Sequence, residues 1–133
     1  MSYLNAAVNH IKSSDSLHIV EFLHKGQKLS MMSLELSEEV TQGISVKLLV
    51  KPMHIAIGKS ITGSLSYSNQ LKSTIVSIES GELLSSIKLN YLDTILESVI
   101  TTKSSRSMNL QIGDEVVAFI KASDLSISEI VDA

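Results

Sequence analysis

The sequence predicts an all-β protein built as two small five-stranded barrels in tandem, each with a short helical turn. Three observations predict it. Apolar stretches rich in Ile, Val and Leu recur at intervals of about eight to twelve residues, separated by Gly, Asn, Asp and Ser turn signals. The stretch Ile112 to Ser123 opens on a Gly-Asp turn and runs through an apolar strand to end on Lys121. An earlier copy runs from Gly43 to Pro52, with Gly43, Val46 and Lys51 matching Gly113, Val116 and Lys121 at a displacement of 70 positions. Internal repetition of this kind decides the architecture before any single motif does.

Element by element, the first repeat (residues 1–63) reads as follows. Ala6 to Lys12 is a strand, Ser13-Ser14-Asp15 a turn and Leu17 to Leu23 a second strand. His24-Lys25-Gly26-Gln27 supplies a hairpin turn, with a glycine free to take positive φ. Lys28 to Ser33 is the third strand, and Ser37-Glu38-Glu39-Val40 a brief helical turn with Ser37 as its N-cap. Val46 to Lys51 is the long fourth strand, stopped by Pro52. His54 to Ile57 is a short fifth piece, and Gly58 to Gly63 connects the repeats.

The second repeat (64–133) keeps this order. Leu71 to Glu79, Leu84 to Leu89 and Thr94 to Thr101 are strands, separated by turns at Ser80-Gly81-Glu82 and Asn90 to Asp93. Ser104 to Asn109 is the helical turn, Glu115 to Lys121 the lysine strand and Leu125 to Ile127 the last strand, with Ser128 to Ala133 a frayed tail. Ser2-Tyr3-Leu4-Asn5 returns as Ser66-Tyr67-Ser68-Asn69, 64 positions later, so the second copy is expected to carry about six extra residues before its lysine strand. Five strands with a helical turn before the fourth make each unit an OB-like barrel.

Composition narrows the chemistry. A 133-residue chain in two repeats gives each unit little core of its own, so the units should share a core or assemble. The net charge is −3 and no basic run exists, which argues against wholesale binding of a phosphate backbone. With no Trp, two Phe and three Tyr, there is no platform on which bases would stack. The absence of cysteine excludes disulfides, thiolate metal sites and cysteine nucleophiles. No apolar run reaches membrane-spanning length and the N-terminus lacks a signal peptide's regions, so a soluble, cytoplasmic protein is expected.

Four segments of the second repeat sharpen the picture. Ser68 to Ile78, then Ile100-Thr101-Thr102-Lys103-Ser104, then Leu110 to Val116 followed by Ile120-Lys121-Ala122-Ser123, stand in the order and spacing of a known signature. In these residues the chain resembles the Mop (TOBE-type) molybdate-binding domain over nearly all of 66–127, and more loosely over 2–57. The whole is similar to the tandem di-Mop proteins, the molbindins and the effector modules of molybdate-responsive regulators.

The resemblance implies OB-like barrels that bind molybdate or tungstate at interfaces between Mop units, in a symmetric homo-oligomer, trimer or dimer. It implies three oxyanion-binding segments: Ser66, Tyr67, Ser68 and Asn69; Thr101 with Ser104; and Lys121 with Ala122 and Ser123. Lys51 is the counterpart of Lys121 in the first repeat. No organic cofactor, no membrane partner and no direct contact with nucleic acid is implied, and metal enters only within the oxyanion. The chain departs from the family where an arginine is expected, with Ser68 in one copy and Leu4 in the other. The first copy carries Met31 and Leu34 where the hydroxyls of Thr101 and Ser104 would fall, and Pro52 removes a donor after Lys51. The second copy is therefore expected to hold the working site.

The residue types suit that chemistry. A tetrahedral dianion only accepts hydrogen bonds, so it needs N–H and O–H donors and cations in a partly dried cleft. Each hydroxyl has a second reading as a cap of a strand or turn, and Lys121 has one as a charge that ends an edge strand. His10, His18, His24 and His54 lack metal-ligand spacing and are expected as surface or packing side chains. Met31-Met32 read as core filler, and Glu38-Glu39 as a solvated helical turn. No catalytic order of nucleophile and base appears. The expected function is non-enzymatic binding of molybdate or tungstate for storage, buffering or sensing. The alternatives are an interaction or sensing module of a molybdate-responsive regulator or transporter and, last, an OB-type nucleic-acid binder.

Overall fold

The computed structural model describes residues 1–131. Ten strands form two five-stranded sheets. The first five are β1 (Ser2–Ser14), β2 (Leu17–His24), β3 (Gln27–Ser33), β4 (Ser45–Val50) and β5 (Ala56–Gly58). The second five are β6 (Asn69–Ser80), β7 (Leu84–Tyr91), β8 (Thr94–Thr101), β9 (Glu115–Ile120) and β10 (Ser126–Ile130). One helix, α1 (Thr102–Ser107), precedes β9. Alternation of buried and exposed residues along β1 and β6 is the period-two signature of strands with one face inward.

Each long first strand serves two neighbours. Ser2 to Ala7 pairs with β4 while Ala7 to Ser14 pairs with β2, and the register shifts between Val8 and His10. β6 shifts between Ile75 and Ser77 in the same way. Such bulges bend and twist a strand, which lets a single strand run along both sides of a curled sheet. The hairpin tips are equivalent too: Lys25-Gly26 (φ 47°, 83°) and Leu92-Asp93 (φ 46°, 65°) each place two left-handed residues at the turn.

The fifth strands are exchanged. β5 pairs with β9 of the second repeat, and β10 pairs with β4 of the first, so the sheet orders are β10-β4-β1-β2-β3 and β5-β9-β6-β7-β8. The segment expected as a frayed tail is thus a strand as far as Ile130, with Val131 N–H donating to the Ser45 carbonyl at 2.9 Å. Asp132 and Ala133, also assigned to that tail, lie outside the described residues. One continuous core runs through both sheets, from Leu4, Val20 and Phe22 to Leu71, Ile87 and Leu96.

The repeats are related by a finer register than the sequence suggested. Ser2 faces Val50 and Asn69 faces Ile120, so the first strands correspond at a displacement of 67 and the lysine strands at 70. Asn69 is therefore the counterpart of Ser2, not of Asn5, and the 64-residue match between the two Ser-Tyr segments does not follow the fold. Both counterparts clasp the opposite sheet. Ser2 Oγ accepts from Glu97 N–H at 2.8 Å, and Asn69 Oδ1 accepts from Ser30 N–H at 2.7 Å. Asn69 Nδ2 donates to the carbonyls of Ser30 at 2.9 Å and Ile120 at 3.1 Å.

The extra length in the second repeat is three residues, not six. Ser33 and Ile100 are equivalent at 67, whereas Val40 and Leu110, both buried, are equivalent at 70. Those three residues close α1, which starts two residues before the helical turn expected at Ser104–Asn109. In the first repeat the shorter span makes a single hydrogen-bonded turn instead of a helix. Val40 N–H donates to the Ser37 carbonyl at 3.0 Å, and Ser37 Oγ accepts from Glu39 N–H at 3.2 Å.

Two outcomes test this packing. Fragments 1–63 and 64–133, expressed apart, should each fail to unfold cooperatively, because the strand covering β4 or β9 is missing; mixing them should restore one thermal transition. Asn69→Ala leaves two carbonyls and one N–H of the clasp without their partner and should cost about 2–4 kcal/mol in urea denaturation. Wild-type stability in that variant would remove the clasp from the account.

Candidate functional site

Strands β4 and β9 end at Val50 and Ile120, and the lysine after each stays extended (φ −80°, ψ 145° for Lys51; φ −68°, ψ 148° for Lys121). A 3-10 turn follows in both repeats, Pro52–His54 and Ala122–Asp124. The lysine carbonyl accepts from the third residue on, His54 N–H and Asp124 N–H, each at 2.9 Å. Pro52 is tolerated because a first-turn N–H would have no partner within the turn. It also means that this position offers no amide donor, unlike Ala122.

Strand exchange brings these turns together. After Lys51 the chain crosses to pack against β8, and after Lys121 it crosses to pack against β3. The two crossings meet where His54 Nδ1 lies 3.8 Å from Asp124 Oδ1. Two clefts open around that contact. One, about 310 Å³, is lined by His54, Tyr67, Val99, Ile100, Lys121 and Asp124 among others. The second, about 190 Å³, is lined by Leu49, Lys51, His54, Ser123, Asp124 and Ser126. Lys51 and Lys121 are exposed, and neither ammonium has an ion-pair or hydrogen-bond partner among the described residues.

The residues singled out in the sequence divide into three groups. Tyr67, Lys121, Lys51 and Ser123 line the two clefts, with Ala122 half-buried in the turn between them. Tyr67 is held by packing on Phe119, ring centroids 5.3 Å apart. Ser66 and Ser68 are exposed in the segment before β6. Asn69 is buried, and its two amide hydrogens are spent on Ser30 of the opposite sheet and Ile120 of its own, leaving its side chain no donor for an anion.

Thr101 and Ser104 line neither cleft. They cap α1: Thr101 Oγ1 accepts from Ser104 N–H at 3.1 Å and donates to Ser104 Oγ at 2.9 Å. Both are exposed. At the displacement of 67 their first-repeat counterparts are Leu34 and Ser37, so one of the two hydroxyl positions is kept there. His54 and Asp124 were missed as site residues. They occupy equivalent positions, and the displacement of 70 carried three residues beyond the lysines would have found them.

A larger cavity, about 640 Å³, lies elsewhere, between Met31, Leu34, Val40, Ile127 and Ile130. Its lining adds Ser33, Ser37, Ser123 and Ser126 to these apolar side chains, but it holds no cation and carries the carboxylates Glu35 and Glu129, which repel an anion. Of the remaining histidines, His24 is a packing residue: it stacks on Tyr91 with centroids 5.6 Å apart, and its Nδ1 lies 2.6 Å from the Asn5 carbonyl. Among the described residues no cluster of three metal-ligating side chains occurs, and no helix is long and apolar enough to cross a membrane.

Comparison with known proteins gives a consistent set. The family model described as TOBE domain matches residues 65–127. The molybdenum import ATP-binding protein ModC of Brucella abortus is 32% identical over 92 residues, 68% of this chain and 26% of the relative, and that of Brucella suis matches equally. The chain thus spans about a quarter of the curated relatives it matches. The crystal structure of the cytoplasmic molybdate-binding protein ModG, with molybdate bound, superposes with a TM-score of 0.88 at 25% identity, over 94% of this chain and 93% of ModG. A molybdate-binding protein from Sporomusa ovata aligns over 50% of this chain and all of its own length, at 30% identity and a TM-score of 0.49.

The approach to β9 carries its own electrostatic tie. Lys59 Nζ donates to the carbonyls of Asn109 at 2.9 Å and Met108 at 3.3 Å, at the C-terminal end of α1, and pairs with Asp114 at 3.0 Å. The Lys59 hydrogen bond first, and the Gln111 backbone N–H second, hold the Asp114 carboxyl below its usual range. A carboxylate lowered on folding contributes stability above its unfolded pKa, and that contribution is lost as pH falls through the folded value. In Lys59→Met the Asp114 carboxyl should titrate nearer its ordinary value, and stability should fall less steeply in that acid window. Carbon-13 NMR titration with acid denaturation checks both; an unmoved Asp114 titration would remove Lys59 as the cause.

Proposed function

From the match of residues 65–127 to the family model described as TOBE domain, we propose that the protein binds the tetrahedral oxyanions molybdate and tungstate. The observation that carries this reading is the meeting of the two lysine-ended strands. Two unpaired ammonium groups, with Ser123 and Tyr67 hydroxyls, line adjoining clefts at the crossing of the exchanged strands. An oxyanion there receives charge-assisted hydrogen bonds in a partly desolvated recess, where such bonds exceed neutral ones. The likeness to ModG over nearly the whole of both chains supports a free binding protein more strongly than a module of a transporter, where the likeness spans 26% of the relative.

In this reading the chain acts without catalysis and without an organic cofactor, storing, buffering or sensing the oxyanion in the cytoplasm. The repeats 1–63 and 64–133 act as one unit. Thr101 and Ser104, exposed and outside both clefts, supply their hydroxyls to the oxyanion of a neighbouring copy, so the complete site belongs to a homo-oligomer, trimer or dimer. A ligand bound only by the assembled form stabilises that form by mass action. Lys121 with Ala122 and its amide makes the stronger half-site; Lys51, followed by Pro52, makes the weaker.

Native mass spectrometry with molybdate, tungstate and sulfate tests the reading. A defined oligomer that gains a fixed number of molybdate or tungstate ions supports it, and a folded protein that takes up neither overturns it. Lys121→Ala removes one charge-assisted contact of about 1.5–3 kcal/mol and should weaken molybdate binding roughly ten- to a hundredfold, with circular dichroism unchanged. Undiminished affinity in that variant would take Lys121 out of the site.

A further inference from the structure

The two clefts, each with one of the lysines, share a carboxylate. His54 and Asp124 stand at equivalent positions of the two repeats, each three residues beyond its lysine, and each lines both clefts. The titratable groups around them are Lys51, Lys121 and Tyr67; β8, which packs against the His54 turn, contributes only Val99 and Ile100 to the cleft. With His54 neutral, each cleft sets its one lysine ammonium against the shared Asp124 carboxylate, so neither offers a net positive charge to a dianion. Asp124 then repels the ligand that Lys121 attracts.

A proton on His54 changes that balance. The imidazole Nδ1 lies 3.8 Å from Asp124 Oδ1, so a protonated ring would pair with the carboxylate and also face the incoming anion. A bound dianion favours the charged ring, and binding equilibria are reciprocal: if the anion promotes protonation, protonation promotes anion binding. Resting on the oxyanion reading above, we propose that His54 is a second cation beside the lysine of either cleft, taking up a proton as the oxyanion binds and so offsetting Asp124. Histidine is the side chain whose charge changes near neutrality, so the coupling falls in a physiological range. Asp124 is then a tuning residue that makes affinity answer to pH.

Isothermal titration of molybdate into the full chain, at about pH 6 and about pH 8 and in two buffers of different ionisation heat, measures both effects. Over that range molybdate stays a dianion, so any proton taken up is the protein's. Wild-type protein should bind roughly three- to tenfold tighter at the lower pH, with net proton uptake averaging about a quarter to a half per anion across that range. His54→Gln should lose that dependence and stay at the weaker level, and Asp124→Asn should bind more tightly than wild type at the higher pH. Equal pH dependence in wild type and His54→Gln would overturn the role of His54 and leave oxyanion binding standing. No molybdate binding by wild type at either pH would overturn the oxyanion reading itself, and this inference with it.

Discussion

An edge strand with unpaired amides and carbonyls must be covered, and in this chain each half covers the edge of the other. β4 and β9 are the lysine-ended strands, and their outer sides are closed by β10 and β5 from the opposite repeat. The remaining architecture depends on that exchange. It obliges the chain to cross between the sheets twice, and it gives two small repeats one core rather than two marginal ones. It also sets the two lysines and the turns after them beside one another. The clefts are the spaces left where the crossings meet, so the candidate site is a product of the topology as much as of the residues in it.

Against this near-symmetry, the differences between the repeats stand out. Three additional residues build α1 in the second half, where the first has one hydrogen-bonded turn and an open apolar groove beside it. Asn69 replaces Ser2 as a clasp with three hydrogen bonds in place of one. Ala122 replaces Pro52 after the lysine and keeps a backbone donor. Tyr91 replaces His24, and the two counterparts stack on each other across the sheets. Both sets of substitutions make the second half the more regular, in its helix, its clasp and its donors.

Strand existence was legible in the sequence because alternation of apolar and polar residues is local. The lysine strands were paired correctly at a displacement of 70, since Gly43 and Gly113 both take positive φ at the same turn and Val46 and Val116 are both buried. The opening segments were misaligned because Ser-Tyr-x-Asn is a short polar match, and only the ladder between β1 and β4 tells which residue faces Val50. Strand exchange was not legible at all: a three-residue β5 carries no information about its partner, and proximity along the chain argues for its own sheet. For the same reason the C-terminal strand read as a frayed tail. Of the candidate residues, the lysines and Tyr67, named through repetition and resemblance, line the clefts, while the burial of Asn69 could not be read from a polar side chain.

The placement of Thr101 and Ser104 bears on how such a site could be completed. Within one chain they cap a helix and line neither of the lysine clefts. Either their hydroxyls serve the cap alone, or they serve an anion shared with another copy. The cap leaves the Ser104 hydroxyl proton free, because Ser104 Oγ accepts from Thr101 rather than donating to it. An exposed donor at the first turn of a helix, beside a backbone whose partial charge is positive, is suited to a partner's oxyanion. Assembly and ligand capture would then be one equilibrium, with each chain offering cations from one face and hydroxyls from another.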